Sequence, residues 1–150
     1  MPKQVNLPKH HLDTSVLIEP QKTEEGRQCK KYLQKLDYNY SGILSFPVLS
    51  ELFLFIHSFE NFNDRYDFIE PILWEIKLRN IKFYSHKNIG NILNKIKITD
   101  SRIDPIDREI LACASEDEAD VLITLDNKII GNKNLEKALR IKILHPKNLL

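Results

Sequence analysis

The sequence predicts a single α/β domain, a three-layer α/β/α sandwich with a mostly parallel central sheet of four or five strands. Short β-branched runs alternate with longer helical segments along the chain, which is the order produced when crossover helices join parallel strands. The chain has 150 residues, 42% of them hydrophobic, enough for one substantial core. The sequence also lacks repeats and low-complexity tracts. We therefore expect residues 1–150 to form one domain.

The first half of the chain predicts strand, helix, strand, helix. Residues 9–18 form a β-leaning run that Pro20 stops, and Thr23 is placed to cap a helix with an acidic first turn. Residues 41–46 predict the second strand. Pro47 marks the start of the second helix, because proline is favoured in the first helical turn.

The middle of the chain is less regular. A helix is expected over residues 64–79, and Pro71 within it would either kink or break it. The sequence leaves both outcomes open. Residues 81–85 predict a third strand, whereas residues 86–98 fit a helical period and a β-branched run equally well.

The last third predicts helix, strand, helix and strand. Residues 104–119 open with two acids and a proline and continue with apolar residues at helical spacing, which places Asp107 in the first turn. Residues 120–126 predict a strand, residues 132–140 a short helix and residues 141–145 the final strand. This alternation completes the α/β pattern.

Composition excludes several classes of protein. The longest apolar runs, such as residues 52–56, are far shorter than the roughly 20 residues of a membrane span, and residues 1–11 lack the hydrophobic stretch of a secretory signal. Cys29 and Cys113 lie outside any C-x-x-C pair, so neither a zinc ribbon nor a disulfide framework is expected. We expect a cytoplasmic protein. The isolated glycines form no phosphate-binding loop.

Four acids follow or interrupt apolar runs, and Glu51 is the strongest signal among them. At about 100° per residue it lies between Leu54 and Phe55 on a helix that is apolar almost all round, which we expect to be buried. A buried ionised carboxylate costs several kcal/mol unless a cation or hydrogen-bond donors compensate it. A glutamate that reaches solvent at the helix edge is the alternative. The other three acids are Asp13, Asp107 and Asp126.

The other acids gain weight from their places in the predicted fold. Asp126 ends an apolar strand, and ligands of parallel sheets bind beyond the carboxyl ends of the strands. Asp107 precedes Ile110 by helical spacing on the core-facing side, although a helix N-terminus stabilises a carboxylate without any ligand. Asp104 is expected either to cap this helix or to support the site indirectly. Carboxylates with few His or Cys nearby favour Mg²⁺ or Mn²⁺ over zinc.

Four short motifs occur in order along the chain: LDTSVLIE, VLSELF, DREILACA and LITLDNKI. In order and separation they resemble the motifs of PIN-domain nucleases. The similarity covers roughly residues 10–145 and is thinnest over residues 57–100. It implies a metal-dependent ribonuclease that hydrolyses RNA phosphodiesters with one or two Mg²⁺ or Mn²⁺ ions. By this resemblance, the catalytic metal ligands would be Asp13, Glu51, Asp107 and Asp126, and the supporting hydroxyls would be Thr14 and Thr124.

The resemblance also implies partners and contains one departure. Compact single-domain members of the family are often VapC-type toxins, each held by an antitoxin, and family members also pair as homodimers. The resemblance therefore implies RNA, an antitoxin and a second copy of the chain as partners. Many relatives carry a further acid two residues after the last Asp. Here that position is Lys128, so a second metal is expected to bind weakly or only together with substrate phosphate.

Two other functions remain open. A PIN-like scaffold that binds nucleic acid or protein without catalysis would have no need of the costly Glu51. A phosphatase of the haloacid dehalogenase type also begins with an Asp on a strand, but it requires a second Asp two residues later, where this chain has Ser15. The retained acids therefore favour the nuclease.

Overall fold

The computed structural model describes residues 6–150 and contains a five-stranded sheet in which every pairing is parallel. Its strands are β1 (Lys9–Leu12), β2 (Ser41–Ser45), β3 (Lys82–Tyr84), β4 (Val121–Ile123) and β5 (Lys142–Leu144). Their spatial order is β3-β2-β1-β4-β5. The chain thus winds outward from β1 in one direction, then returns to the other side of β1, and the carboxyl ends of β1 and β4 flank the crevice where such sheets bind ligands.

Seven α-helices accompany this sheet in the described residues, which confirms the predicted α/β/α class. A 3₁₀ helix, Pro146–Leu149, follows the last strand. The α-helices are α1 (Thr14–Ile18), α2 (Glu24–Leu33), α3 (Phe46–Ser58), α4 (Phe62–Leu78), α5 (Gly90–Thr99), α6 (Pro105–Glu116) and α7 (Lys133–Leu139).

The predicted strand over residues 9–18 is wrong in its second half. β1 ends at Leu12, and residues 14–18 turn into the short helix α1. Asp13 is the N-cap residue, with extended backbone, and its carbonyl accepts from Val16 N at 3.1 Å. Thr14 and Val16 are buried on this helix. Packing of α1 against α2 and α3 therefore determines the conformation of residues 14–18, because the β-propensity of so short a segment is too weak to do so.

The two undecided segments are both helical. α4 continues through Pro71, which is exposed. Residues i and i−4 share a helix face, so the Asp67 carbonyl that loses its amide partner lies on the solvent side, where water can satisfy it. The segment that fitted two periods equally well forms α5.

The two histidines of β1 belong to the packed interior. His10 Nδ1 lies 2.7 Å from Tyr32 Oη, and its ring stacks on Tyr40 at 4.1 Å between centroids. Burial lowers the pKa of His10 to about 4, so its ring is neutral at physiological pH. His11 is buried as well, with Nε2 2.8 Å from Asp117 Oδ2. Both rings hold the central strand that carries Asp13 at its end.

Cys29 and Cys113 are both buried and free. Across residues 6–150, no helix is long and apolar enough to cross a membrane.

Gly26 marks a close contact between α2 and the turn that precedes it. A Cβ atom built at Gly26 would lie 1.9 Å from the carbonyl oxygen of Pro20. Thr23 fixes the same turn, because its hydroxyl donates to Pro20 O at 2.8 Å and accepts from Gly26 N at 2.9 Å. The predicted Thr23 cap is confirmed, and any side chain at residue 26 would push the cap and the helix apart.

We expect Gly26→Ala to lower the free energy of unfolding by about 1–3 kcal/mol, as overpacking does, although alanine normally stabilises a helix interior. Urea denaturation measures the change. Gly90→Ala is the matched control, since its Cβ would meet only Asn88 Oδ1 at 3.5 Å. Equal stability changes in the two variants would contradict the contact.

Candidate active site

Asp13 is fixed at the carboxyl end of β1 by two hydroxyl groups. Its backbone N–H donates to Ile123 O at 2.9 Å, which extends the pairing of β1 with β4 by one residue. Thr124 Oγ1 and Ser15 Oγ both donate to Asp13 Oδ2, at 2.8 and 2.7 Å. Within residues 6–150, Oδ1 receives no hydrogen bond. The side chain is buried, so this oxygen is presented in a defined direction.

The same hydroxyls hold the chain that follows β4. Ser15 Oγ accepts from Leu125 N at 3.1 Å, and Thr124 Oγ1 accepts from Asp126 N at 3.0 Å. Ser15 was not among the predicted site residues, whereas its neighbour Thr14 was. The available signal was the Asp-x-Ser spacing at a helix start, where such hydroxyls commonly bond back to the preceding carboxylate.

Glu51 faces α1 from the second turn of α3. Thr14 Oγ1 donates to Glu51 Oε1 at 2.5 Å, so the structure brings these two predicted site residues together. The Glu51 side chain is half-buried. Burial raises its pKa, and the negative charge of Asp13 raises it further, while the hydrogen bond from Thr14 lowers it.

The expectation that α3 is buried all round is wrong. Phe53 and Leu54 on this helix are 60% and 64% exposed, and the buried residues of α3 are Pro47, Val48 and Leu52. Apolar character alone could not distinguish a core helix from one with an exposed apolar face. The desolvation of Glu51 therefore comes from its position against α1 and not from a fully buried helix.

Asp107 has the most perturbed carboxylate of the group. It lies in the first turn of α6 and is partly buried. Burial raises its pKa to about 7, and the charges of Asp13, Asp126, Glu51 and Asp104 raise it as well, in that order. In the described part of the chain its carboxylate accepts no hydrogen bond. The structure thus brings all the predicted acids into one electrostatic field.

Asp126 lies on the turn after β4, where its Oδ1 accepts from Lys128 N at 2.9 Å. It lines a cavity of ≈ 360 Å³ together with Asp104, Asp107 and Lys128. Asp13 and Glu51 do not line this cavity and are linked to it through charge. Asp104 is the N-cap residue of α6, but its side chain makes no capping hydrogen bond, so the expectation of side-chain capping is wrong. Its carboxylate is exposed at the cavity instead.

The donor set fits a hard divalent cation. In residues 6–150 no Lys, Arg or His forms an ion pair with any of the four acids, and their partners are hydroxyls and a backbone amide. In the arrangement seen over the same residues, no three His, Cys, Asp or Glu side chains are grouped closely enough to hold a metal ion. Oxygen-only ligation suits Mg²⁺ or Mn²⁺.

Several solved structures have a fold similar to that of this chain. VapBC2 from Rickettsia felis, bound to a promoter DNA fragment, is 15% identical and matches with a TM-score of 0.67 over 91% of this chain and 98% of that chain. FitAcB from Neisseria gonorrhoeae is 21% identical (TM-score 0.65, 91% of this chain and 97% of that chain), and VapBC-1 from nontypeable Haemophilus influenzae is 20% identical (TM-score 0.65, 92% and 98%). At these identities the likeness shows a shared fold. No curated protein matches.

The PIN domain family model matches residues 11–133, a range that contains Asp13, Glu51, Asp107 and Asp126. The match covers well over half of the chain, and the all-parallel sheet with its helices is consistent with a PIN-like fold. The chain belongs to the PIN domain family.

Proposed function

We propose that the protein is a metal-dependent endoribonuclease of the VapC toxin type, in which Asp13, Glu51, Asp107 and Asp126 hold one or two Mg²⁺ or Mn²⁺ ions. The observation that carries the proposal is that the charges of these acids act on one another near the crevice between β1 and β4. Hydroxyls donate to Asp13 and Glu51, and across residues 6–150 no cationic side chain forms an ion pair with any of the four acids. Such a cluster is costly unless a cation compensates it.

Each residue would have a separate task. A divalent cation held there supplies Lewis acidity toward the phosphodiester and toward the attacking water. Ser15 and Thr124 fix one oxygen of Asp13 and leave the other free to bind. Thr14 orients Glu51 in the same way. Asp107, which accepts no hydrogen bond in the described residues, can rotate toward a ligand and release its proton near neutral pH.

Hydrolysis needs no covalent intermediate with the protein. Water adds to phosphorus and gives a proton to a carboxylate or to solvent. The bond from phosphorus to the 3′ oxygen breaks, and this oxygen takes up a proton from solvent, which leaves a 3′ hydroxyl and a 5′ phosphate. Metal-assisted hydrolysis by carboxylate-bound ions follows this direct course.

We also propose an antitoxin and a second copy of the chain as partners, in the cytoplasm. The exposed apolar side chains of α3 and α4 support a protein partner, because contiguous exposed apolar surface is commonly a protein-binding site. VapBC2 of Rickettsia felis, which has a similar fold, is named as a complex bound to promoter DNA. The exposed residues are Phe46, Phe53, Leu54, Phe55, Phe62, Tyr66, Leu73, Trp74 and Leu78.

In metal-free protein, we expect Asp107→Asn to raise the free energy of unfolding at pH 8 by on the order of 2 kcal/mol. Because the folded state raises the pKa of Asp107 to about 7, wild-type stability falls as pH rises from about 4, the unfolded pKa, through 7. The gain should therefore vanish near pH 4. Chemical denaturation in EDTA measures it.

With Mn²⁺ present, the wild type should become more stable than Asp107→Asn, since an ion that binds only the folded state stabilises it by mass action. The melting temperature of the wild type should rise more than that of Asp107→Asn or Asp126→Asn. Glu109→Gln, an exposed acid on the same helix, is the control and should respond like the wild type. Equal responses in all four proteins would contradict the metal site.

We expect Mn²⁺-dependent cleavage of single-stranded RNA by the wild type, abolished in Asp13→Asn and Glu51→Gln. Ser15→Ala should reduce the rate by roughly 10–100-fold, as the loss of a group that orients a metal ligand does. A gel assay with end-labelled RNA measures all four proteins. Cleavage that persists in both carboxylate variants would refute the site, and Mn²⁺ binding without wild-type cleavage would favour a binding scaffold.

A further inference from the structure

A polar groove adjoins the acidic cavity, and Lys128 belongs to both. The groove has a volume of ≈ 560 Å³, and its lining includes Thr99, Ser101, Asn132 and Asn134. Asp100 and the two basic residues Arg102 and Lys128 line the groove and the acidic cavity alike. The two spaces therefore meet at these two basic residues, between the end of α5 and the turn that follows β4.

The two basic residues differ in how their charge is used. Arg102 donates from Nε and Nη2 to the two oxygens of Asp100, each at 3.0 Å, and Asn132 Nδ2 donates to the same carboxylate at 3.2 Å. The positive charge of Arg102 is therefore largely neutralised by Asp100. Lys128 is exposed and, within residues 6–150, its ammonium forms no ion pair. Lys128 is thus the basic residue at this junction whose charge is available to a ligand.

A hydrogen bond to Asp126 fixes the backbone of Lys128. Its backbone N–H donates to Asp126 Oδ1 at 2.9 Å, so the ammonium stem begins directly beside a proposed metal ligand. An RNA strand carries one negative charge per nucleotide, and carboxylates at Asp104, Asp107 and Asp126 repel it from the cavity. A lysine at the mouth offsets that repulsion next to the place where cleavage is proposed.

We propose that Lys128 contacts a backbone phosphate of the bound RNA at the point where the strand passes from the acidic cavity into the polar groove. The inference rests on the proposed ribonuclease function and assigns the groove as the path of the strand on one side of the cleaved bond. The hydroxyls and amides of the groove then contact sugar and phosphate without requiring one sequence.

The test is equilibrium binding of a fluorescently labelled single-stranded RNA in the Glu51→Gln background with Mn²⁺ present, followed by anisotropy over a series of salt concentrations. Lys128→Ala should weaken binding and reduce the slope of log K against log salt by about 0.7, the contribution of one phosphate contact to a single strand. Lys128→Arg should retain the slope. Lys31→Ala removes an exposed lysine of α2 that lines neither space, and should change nothing.

A charge reversal separates a direct contact from a structural role. Lys128→Glu should weaken RNA binding and, because it adds a carboxylate at the cavity, should enlarge the rise in melting temperature caused by Mn²⁺ without RNA. A structural role would lower both together, and that result would overturn the proposal. RNA binding with an unchanged slope in Lys128→Ala would overturn it while leaving the ribonuclease standing. Absence of RNA binding by every protein would overturn both.

Discussion

Uncompensated negative charge at the carboxyl ends of β1 and β4 is the constraint around which this molecule is organised. Asp13, Glu51, Asp107 and Asp126 come from four separate parts of the chain. Burial, together with the charges of the other acids, raises the pKa of Asp107 to about 7. Arg102 and Lys128 line the cavity with Asp107 and Asp126, but within residues 6–150 no cationic side chain forms an ion pair with any of the four acids. The hydrogen-bond partners of the acids are hydroxyls and one backbone amide. These groups can orient an anion without cancelling its charge, so the site keeps its attraction for a cation.

The turn from β1 into α1 does most of this organising. Three successive residues have different tasks. Asp13 supplies a carboxylate, Thr14 donates to Glu51 on α3, and Ser15 donates to Asp13 and accepts from the backbone after β4. An abrupt change from strand to helix makes this possible, because extended residues alternate sides whereas helical residues point around the axis. The buried His10 and His11 then hold β1 in the centre of the sheet.

The sequence was informative wherever a local interaction decides the structure. The Thr23 cap, the start of α3 near Pro47 and the alternation of strands and helices are all local signals, and the structure confirms them. Tertiary packing decided the rest. The β-branched run after Asp13 became α1, the apolar face of α3 stayed exposed, and Asp104 left its helix uncapped. Ser15 was missed for the same reason, since its second partner lies 110 residues away in the chain.

The most direct test of the central claim is calorimetric titration of the metal-free protein with Mn²⁺ near pH 7, in two buffers of different ionisation enthalpy. If the acids form a cation site, binding neutralises the field that holds a proton on Asp107, so wild type should bind Mn²⁺ with release of a fraction of a proton. Asp107→Asn should release none. Binding without proton release in the wild type, or no binding at all, would contradict the account.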